Sequence, residues 1–213
     1  SLLKIRDVSY IKTPPVDRLN VKTFLMLYDK DLIIKVINSE LKRNGQVFYV
    51  LPRISDLEIA KKKLLKIMPN LNFKIIHGRL KTAEIENTYK QFFDRKIDLL
   101  LSTAMIESGL DFSNVNTIII EKPFLFGLSQ LYQLRGRVGR SSTQAYAYMI
   151  LDKIDSISEL AIKKLNIISK INYLGAGLSI ATFDLDIRGG GNIVGSEQSG
   201  HIREVGIELY YKM

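Results

Sequence analysis

Short hydrophobic runs alternate with longer amphipathic stretches between residues 21 and 151. The short runs are rich in Val, Ile, Phe and Tyr, which is typical of buried strands. We predict strands at Val21–Tyr28, Gln46–Leu51, Asn72–Ile76, Ile97–Ser102, Thr117–Glu121 and Ala145–Leu151. The longer stretches place apolar residues three and four apart and so predict helices. These helices are predicted at about 31–44, 55–68, Thr82–Phe93, Leu128–Arg135, Ser156–Ser169 and Ser179–Ile187. We expect Asp29 or Asp31 to cap the first helix and Gly45 to stop it. We expect Ser55 to cap the second helix and Pro69 to end it.

Strands that alternate with helices indicate an α/β fold built on a parallel sheet. Ligands of such sheets lie beyond the carboxyl ends of the strands, so we expect informative loops after Leu51, Ile76, Leu101, Ile120 and Leu151. After Leu151 the alternation of strands and helices ends, and the sequence predicts two helices followed by a Gly-rich loop at 189–200. The chain starts with Ser and ends inside a helical pattern, so we expect it to be part of a longer protein.

Basic residues are concentrated in the first two-thirds of the chain. The 213 residues carry 31 Lys+Arg and 22 Asp+Glu, a net charge of +9. Residues 1–141 hold 24 basic and 14 acidic residues, whereas residues 142–213 hold 7 and 8. This balance favours a polyanionic partner, either nucleic acid or nucleotide. The run Lys61–Lys63 fits a solvated helix face as well as a binding surface.

The composition excludes several classes of site. There is no cysteine, which excludes disulfides, cysteine–zinc sites and thiol nucleophiles, and two histidines do not make a histidine-rich metal site. We therefore expect no metal ligands. No apolar run is long enough to span a membrane, and no secretory segment opens the chain, so we expect a cytoplasmic globular protein with no membrane partner.

The most specific pattern is Gln133-Leu134-Arg135-Gly136-Arg137-Val138-Gly139-Arg140, at the end of a predicted helix and before a predicted strand. Two arginines three residues apart each follow a glycine. Glycine lets a backbone approach closely, and the forked guanidinium donors match phosphate oxygens. The pattern predicts a phosphate-binding loop, and a basic loop that merely touches nucleic acid is the alternative.

These residues resemble motif VI of superfamily-two helicases, which lies in their second RecA-like lobe. Other segments resemble further motifs of the family in the expected order. Ser102–Asp111 is similar to motif V, Gly45–Pro52 to motif IV, and Ile76-His77-Gly78 to a loop that contacts the tracked nucleic-acid strand. The resemblance covers most of residues 45–141 and implies a RecA-like parallel sheet flanked by helices.

The resemblance implies two sets of site residues. For catalysis, Arg137 and Arg140 would act as arginine fingers toward ATP bound on an N-terminal RecA-like lobe, and Gln133 would orient the nucleotide or the attacking water. The nucleotide would also be bound by Gly109 and Asp111. The residues that would hold the DNA backbone are His77, Gly78, Thr103, Glu107 and Ser108. A histidine after a strand is also a common plain loop residue.

Half of an ATPase site is absent from the sequence. No glycine is followed by lysine, so there is no P-loop, and no Asp-Glu pair is present to hold Mg²⁺. The run Gly189–Gly195 does not form a dinucleotide-binding motif, because Val194 stands where glycine is needed. We expect Mg²⁺ to be held by the other lobe and this chain to be inactive as an ATPase alone.

The last third resembles the translocation motif shared by RecG and the bacterial transcription-repair coupling factors. Asp184–Gly191 and Gly195–Gly200 carry the likeness, which implies a helical hairpin followed by a Gly-rich loop. Arg188 and Gln198 would be its key polar residues. Lys164 lies near the place of a hairpin arginine, although lysine lacks the forked guanidinium. The alternative for the glycines is a flexible surface loop.

Three further segments favour the coupling-factor family over RecG, namely Thr13–Phe24, Phe126–Leu131 and Leu174–Gly177. The resemblance implies an inter-lobe linker over 1–28, a second RecA-like helicase lobe over 29–152 and a translocation-motif hairpin and loop over 153–213. It also implies a motor that moves along double-stranded DNA, displaces stalled RNA polymerase and couples to excision-repair proteins through other parts of the full protein. The alternatives are a RecG-type branch-migration lobe and a degenerate RecA-like adaptor that binds only a protein.

Overall fold

A six-stranded parallel sheet organises the part of the chain that the structure describes. The computed structural model describes residues 19–107, 112, 114–140, 142–152, 158–170 and 180. The strands are β1 (Lys22–Leu27), β2 (Gln46–Val50), β3 (Phe73–Ile76), β4 (Leu99–Ser102), β5 (Val115–Glu121) and β6 (Tyr146–Leu151). Their order across the sheet is β1-β6-β5-β2-β4-β3. The predicted α/β class is confirmed.

The described part of the chain also contains five α-helices and two short 3₁₀ helices, and all of them except the last α-helix connect the strands. The α-helices are α1 (Lys30–Lys42), α2 (Ile54–Ile67), α3 (Thr82–Phe93), α4 (Leu128–Arg135) and α5 (Glu159–Lys170). The 3₁₀ helices are Ala104–Glu107 and Pro123–Leu125. The bounds of α3 and α4 match the sequence prediction, whereas α5 begins three residues later than Ser156. Ile180, the described residue of the predicted helix Ser179–Ile187, is helical and buried.

Both faces of the sheet are buried, which explains why its strands are almost uniformly apolar. Alternate residues of β2 serve the two faces, with Phe48 and Val50 in one core and Val47 and Tyr49 in the other. Helices α4 and α5 cover the first core, and α1 and α2 cover the second. The protein therefore holds its loops on a sheet that is packed from above and below.

Strand β1 lies within residues 1–28, the range that the sequence assigned to an inter-lobe linker. It pairs along its whole length with β6, from Lys22 opposite Tyr146 to Leu27 opposite Leu151. This part of the segment is an edge strand of the sheet. Residues 1–18 lie outside the described part, and the domain boundaries stay a prediction.

Two predicted helix boundaries have a different physical basis in the structure. The prediction that Ser55 caps α2 is wrong, because the helix already begins at Ile54 and its N-cap residue, Arg53, makes no side-chain cap. Gly45 does follow the end of α1, but Asn44 adopts the left-handed conformation there, with φ of 58°. Glycine is needed at position 45 for space, since a Cβ would lie 1.7 Å from Oε1 of Glu40.

Glu121 is a buried carboxylate at the carboxyl end of β5. It accepts a hydrogen bond from the hydroxyl of Tyr49, which lies on β2. Burial raises the pKa of Glu121, although the Tyr49 hydrogen bond and Lys63 act in the opposite direction. Burial also raises the pKa of Tyr49, and the neighbouring carboxylate raises it further. The folded state therefore disfavours the ionised form of Glu121.

We expect Glu121→Gln to change the pH dependence of stability. An acid whose pKa is raised by folding binds more protons in the folded state, so its contribution to stability falls as pH rises from the unfolded pKa, near ~4.3, to the folded value. Urea unfolding measures the free energy of unfolding of Glu121→Gln relative to that of the wild type. This difference should rise between pH 4.5 and pH 7.5 by about 1 kcal/mol for each unit by which folding raises the pKa of Glu121. Glu58→Gln, on the exposed face of α2, should show no such gain. A pH-independent difference between wild type and Glu121→Gln would contradict the expectation.

Candidate functional site

Thr103 and His77 follow adjacent strands and lie side by side at the carboxyl edge of the sheet. Ile76, the last residue of β3, is paired with Ser102, the last residue of β4. The backbone N–H of Thr103 donates to the carbonyl of Ile76 at 3.4 Å, so the two loops leave the sheet together. This arrangement agrees with the expectation that ligand loops follow β3 and β4.

The loop after β3 is a tight turn with an open tip. The N–H of Arg79 donates to Nδ1 of His77 at 3.3 Å, and the N–H of Leu80 donates to the carbonyl of His77 at 3.1 Å. The first bond orients the half-buried imidazole, and the second closes the backbone turn. Gly78 is exposed, and a Cβ placed there would meet no atom within 4 Å. Packing within the chain therefore does not require glycine at this position, and the turn is open to a ligand that approaches the backbone closely.

Motif V is described only in its first half. Thr103 is half-buried, and the 3₁₀ helix Ala104–Glu107 follows it and packs against α4. Ser108, Gly109 and Asp111, which the sequence assigned to DNA and nucleotide binding, lie outside the described residues. Their roles, and that of Glu107, stay predictions.

Helix α4 presents the glycine-framed arginines. Its inner side chains, Leu128, Leu131 and Leu134, are fully buried in the core, whereas Gln133 is exposed on the outer side. The helix ends at Arg135, and the N–H of Gly136 donates to the carbonyl of Tyr132 at 3.0 Å. The burial of one side of α4 thus fixes which way Gln133 faces.

Val138 anchors the arginine loop, which we define as residues Gly136–Arg140. Its side chain is fully buried in the core between the two arginines. Arg137 is half-buried and Arg140 is exposed. The Nε of Arg137 is buried and has no hydrogen-bond acceptor within the described part of the chain. A buried donor without an acceptor costs about 1–3 kcal/mol, a cost that the fold carries at the Nε of Arg137.

Gly139 is the one position of the loop where the backbone itself demands glycine. Its φ is +74°, and a Cβ there would lie 2.9 Å from Cβ of Ala145 and 3.2 Å from Cγ2 of Val21. Ala145 and Val21 directly precede β6 and β1, so this end of the loop lies at the amino edge of the sheet. His77 and Thr103 follow the carboxyl ends of their strands, whereas this end of the arginine loop lies at the amino edge, because the loop leads into a strand rather than out of one.

Two cations, the half-buried Lys164 and the buried Arg135, join α5 to the chain segments at the two ends of α4. Lys164 on α5 donates from Nζ to the carbonyl of Phe124 at 3.0 Å and to the carbonyl of Phe126. Arg135, the last residue of α4, donates to the carbonyl of Ile168 at 3.1 Å and lies 5.2 Å from the ring centre of Tyr132. Burial lowers the pKa of Arg135.

Arg135 was not among the predicted site residues. The signal that points to it is a cation at the end of a short helix, one position before the glycine frame. Lys164 was assigned by resemblance to translocation, and the structure places it as a tether between α5 and the connection that precedes α4. Arg188 and Gln198 lie outside the described residues.

Within the described residues, no group of three or more His, Asp or Glu side chains is arranged to hold a metal ion. Among the same residues, no helix combines the length and the hydropathy that crossing a membrane requires.

The family profile "Helicase conserved C-terminal domain" matches residues 29–142. The chain belongs to this helicase family. Its matched range contains the His77 turn, Thr103 and the arginine loop, so both candidate site regions lie within the helicase domain. The fold is that of a RecA-like helicase C-terminal lobe.

Full-length similarity extends to a named group of bacterial proteins. The transcription-repair-coupling factor of Rickettsia bellii is 44% identical over all 213 residues, and that of Myxococcus xanthus is 40% identical over the same length. The matches cover 19% and 18% of those proteins, so the helicase chain spans about a fifth of their length.

Solved structures agree with the fold. RecG bound to a three-way DNA junction matches with a TM-score of 0.67 and 34% identity, over 84% of this chain and 24% of RecG. The C-terminal domain of the DEAD-box protein Dbp5 matches with a TM-score of 0.51 and 20% identity, over 73% of this chain and 86% of that one. The second match shows the fold of the helicase lobe alone.

We expect Gly139→Ala to lower the free energy of unfolding by about 1–3 kcal/mol, because the variant forces a Cβ into a left-handed conformation and against Ala145. Gly136→Ala is the matched control. Its backbone is helical (φ −70°), and its Cβ would meet the nearest atom, the carbonyl oxygen of Gln133, at 3.3 Å. Chemical denaturation of both variants should therefore rank Gly139→Ala well below Gly136→Ala. Equal stabilities would show that Gly139 is not required by the fold.

Proposed function

We propose that this chain is the second motor lobe of an ATP-dependent double-stranded DNA translocase, within a transcription-repair coupling factor. Membership of the helicase family and 40–44% identity to coupling factors over the whole chain support this assignment. The observation that carries it is the arginine loop, where Arg140 is exposed and the buried Nε of Arg137 has no acceptor in the described part of the chain. Guanidinium groups in that condition are suited to an external anion.

The anion we propose for the arginine loop is the triphosphate of ATP, which the N-terminal RecA-like lobe would bind together with Mg²⁺. ATP would supply the phosphate charge and the hydrolysable bond. Arg137 and Arg140 would stabilise negative charge on the transferred phosphoryl group, and the exposed Gln133 would orient the nucleotide or water. Gly109 and Asp111 would complete the nucleotide contacts. Alone, this lobe would be inactive as an ATPase.

The DNA backbone is the ligand that we propose for the corner formed by His77, Gly78 and Thr103. The half-buried imidazole and hydroxyl side chains offer donors, and the open turn at Gly78 allows a phosphate to approach the main chain. Glu107 and Ser108 would extend the contacts through backbone amides. This corner and the Gly139 end of the arginine loop lie at different edges of the sheet, which suits two different ligands bound at once.

At the level of the whole protein, we propose that lobe closure on ATP drives movement along duplex DNA through the translocation motif. Arg188 and Gln198 would act in that motif, and Lys164 would hold its first helix against the lobe. The full protein would displace stalled RNA polymerase and recruit excision-repair proteins through other parts. A RecG-type lobe would share this chemistry, but RecG is 34% identical over 84% of the chain, which favours the coupling-factor assignment.

We expect Arg137→Ala and Arg140→Ala to reduce the ATPase kcat of the longer two-lobe protein by about 10³-fold or more, as loss of an arginine finger does. Arg95→Ala is a suitable control, because Arg95 is exposed and bonds to Asn114 rather than to the arginine loop. Steady-state phosphate release with saturating DNA measures the effect. Wild-type rates in both loop variants, or ATP turnover by the 213-residue chain alone, would rule out the proposed role.

We expect His77→Ala to weaken duplex DNA binding by the longer protein by about 2- to 10-fold, the usual effect of one lost hydrogen bond. Gly78→Ala should weaken binding as well, because its methyl group would obstruct the open turn, and it should leave the melting temperature unchanged because nothing lies within 4 Å. Asn87→Ala on the exposed side of α3 is the control. Fluorescence anisotropy at fixed salt measures affinity. Unchanged affinity in both variants would remove this corner from the DNA interface.

A further inference from the structure

Arg43 lies at the end of α1 and bonds to a part of the chain about one hundred residues away. Its Nε donates to Oε2 of Glu40 at 3.0 Å, and Nη2 donates to the same oxygen. Its Nη1 donates to the carbonyl of Gln144 at 2.7 Å. The guanidinium carbon lies 5.2 Å from the ring centre of Tyr146. One side chain thus connects α1 to the segment that runs from the arginine loop into β6.

The carboxylate that holds Arg43 is itself fixed inside the protein. Glu40 is 1% exposed, and its Oε2 also accepts a hydrogen bond from the hydroxyl of Thr117 on β5. The absence of a side chain at Gly45 makes room for the other oxygen. A buried carboxylate with a single cationic partner holds that partner firmly, because separating them would leave an unpaired charge in the core.

The contact with Gln144 reaches the arginine loop through packed neighbours. The side-chain amide of Gln144 donates to the carbonyl of Asn20 at 2.8 Å and to that of Ala145 at 3.0 Å. Ala145 is fully buried, and its Cβ closes the space beside Gly139. Gly139 directly precedes Arg140. Arg43 therefore fixes the segment Gln144–Ala145, against which the carboxyl end of the arginine loop packs. Helix α4 fixes the other end of the loop.

We propose that Arg43 is a positioning residue for the arginine loop, and that it holds Arg140 in place for a phosphate ligand. The inference rests on the function proposed above. Arg43 does not touch the ligand; it acts through Gln144, Ala145 and Gly139. Arginine is required because its guanidinium group contacts three partners at once: a carboxylate, a carbonyl and an aromatic ring. The single ammonium group of lysine does not reproduce that geometry.

The test is Arg43→Lys in the longer two-lobe protein, with two readouts. We expect the ATPase kcat to fall by about 10- to 100-fold, the range expected when a catalytic group is displaced by an ångström, with KM for ATP changed less than twofold. We also expect faster hydrogen exchange of backbone amides in residues 137–145 and unchanged exchange in α3. Arg95→Lys is the matched control, because Arg95 bonds to Asn114 just before β5 and does not contact the loop.

A second variant covers the case in which Arg43→Lys strains the buried pair. Glu40→Met/Arg43→Met removes both charges together, which leaves no unpaired carboxylate, and should give the same fall in kcat and the same local exchange. Wild-type kcat together with wild-type exchange in a folded variant would overturn the proposal. If Arg137→Ala and Arg140→Ala both leave the ATPase intact, the proposed function fails instead, and the exchange measurement still decides whether Arg43 positions the loop.

Discussion

Burial of both faces of the parallel sheet is the constraint on which every functional loop depends. The strands have apolar side chains above and below, so their ends are fixed in space with little freedom to shift. The His77 turn and Thr103 inherit their proximity from the pairing of β3 with β4. The arginine loop inherits its position from Val138 and from the leucines of α4, which belong to the same core. The positions of these loops therefore depend on side-chain packing inside the core.

Few charged side chains are buried in the described part of the protein, and three of them, Glu40, Glu121 and Arg135, make contacts between different elements. Glu40 and Arg43 join α1 to the segment before β6, and Arg135 joins α4 to α5. Glu121 lies beneath the carboxyl edge, with Tyr49 as its hydrogen-bond donor. Buried pairs of this kind add little net stability, but they allow one geometry and penalise others. In this lobe they occur where the chain passes from a core element to a loop.

Much of the fold could be predicted because the hydrophobic pattern reports burial directly. The alternation of strands and helices gave the parallel sheet, and the bounds of α3 and α4 were predicted to the residue. The cap at Ser55 was mispredicted because the exact start of a helix depends on local backbone geometry, and α2 begins at Ile54 after Arg53 without any side-chain cap. The strand order and the role of Gly45 were not predictable, since both depend on contacts between distant residues.

The candidate site was predictable where a spacing carries chemistry. The glycine-framed arginines were singled out by their spacing, and His77 and Thr103 by their resemblance to helicase motifs. The structure places them in or beside loops, and their roles stay predictions. Their separation onto different edges was not found, because spacing along a chain does not report on which side of a sheet a loop emerges. Arg43 and Arg135 were missed for a similar reason. Each is an ordinary basic residue in the sequence, and the partner that links it to another element lies far along the chain, Gln144 for Arg43 and Ile168 for Arg135.

The tethers between α5 and the rest of the lobe use side-chain cations and main-chain carbonyls. Lys164 reaches the carbonyls of Phe124 and Phe126, and Arg135 reaches that of Ile168. Every amino acid supplies the same carbonyl, so these hydrogen bonds do not depend on the side chains of residues 124, 126 and 168, although the core packing of Phe126 and Ile168 does. Only the cationic side chains, Lys164 and Arg135, depend on residue type in this connection. A relative could therefore change the packing around them and keep the hydrogen bonds between α5 and the rest of the lobe.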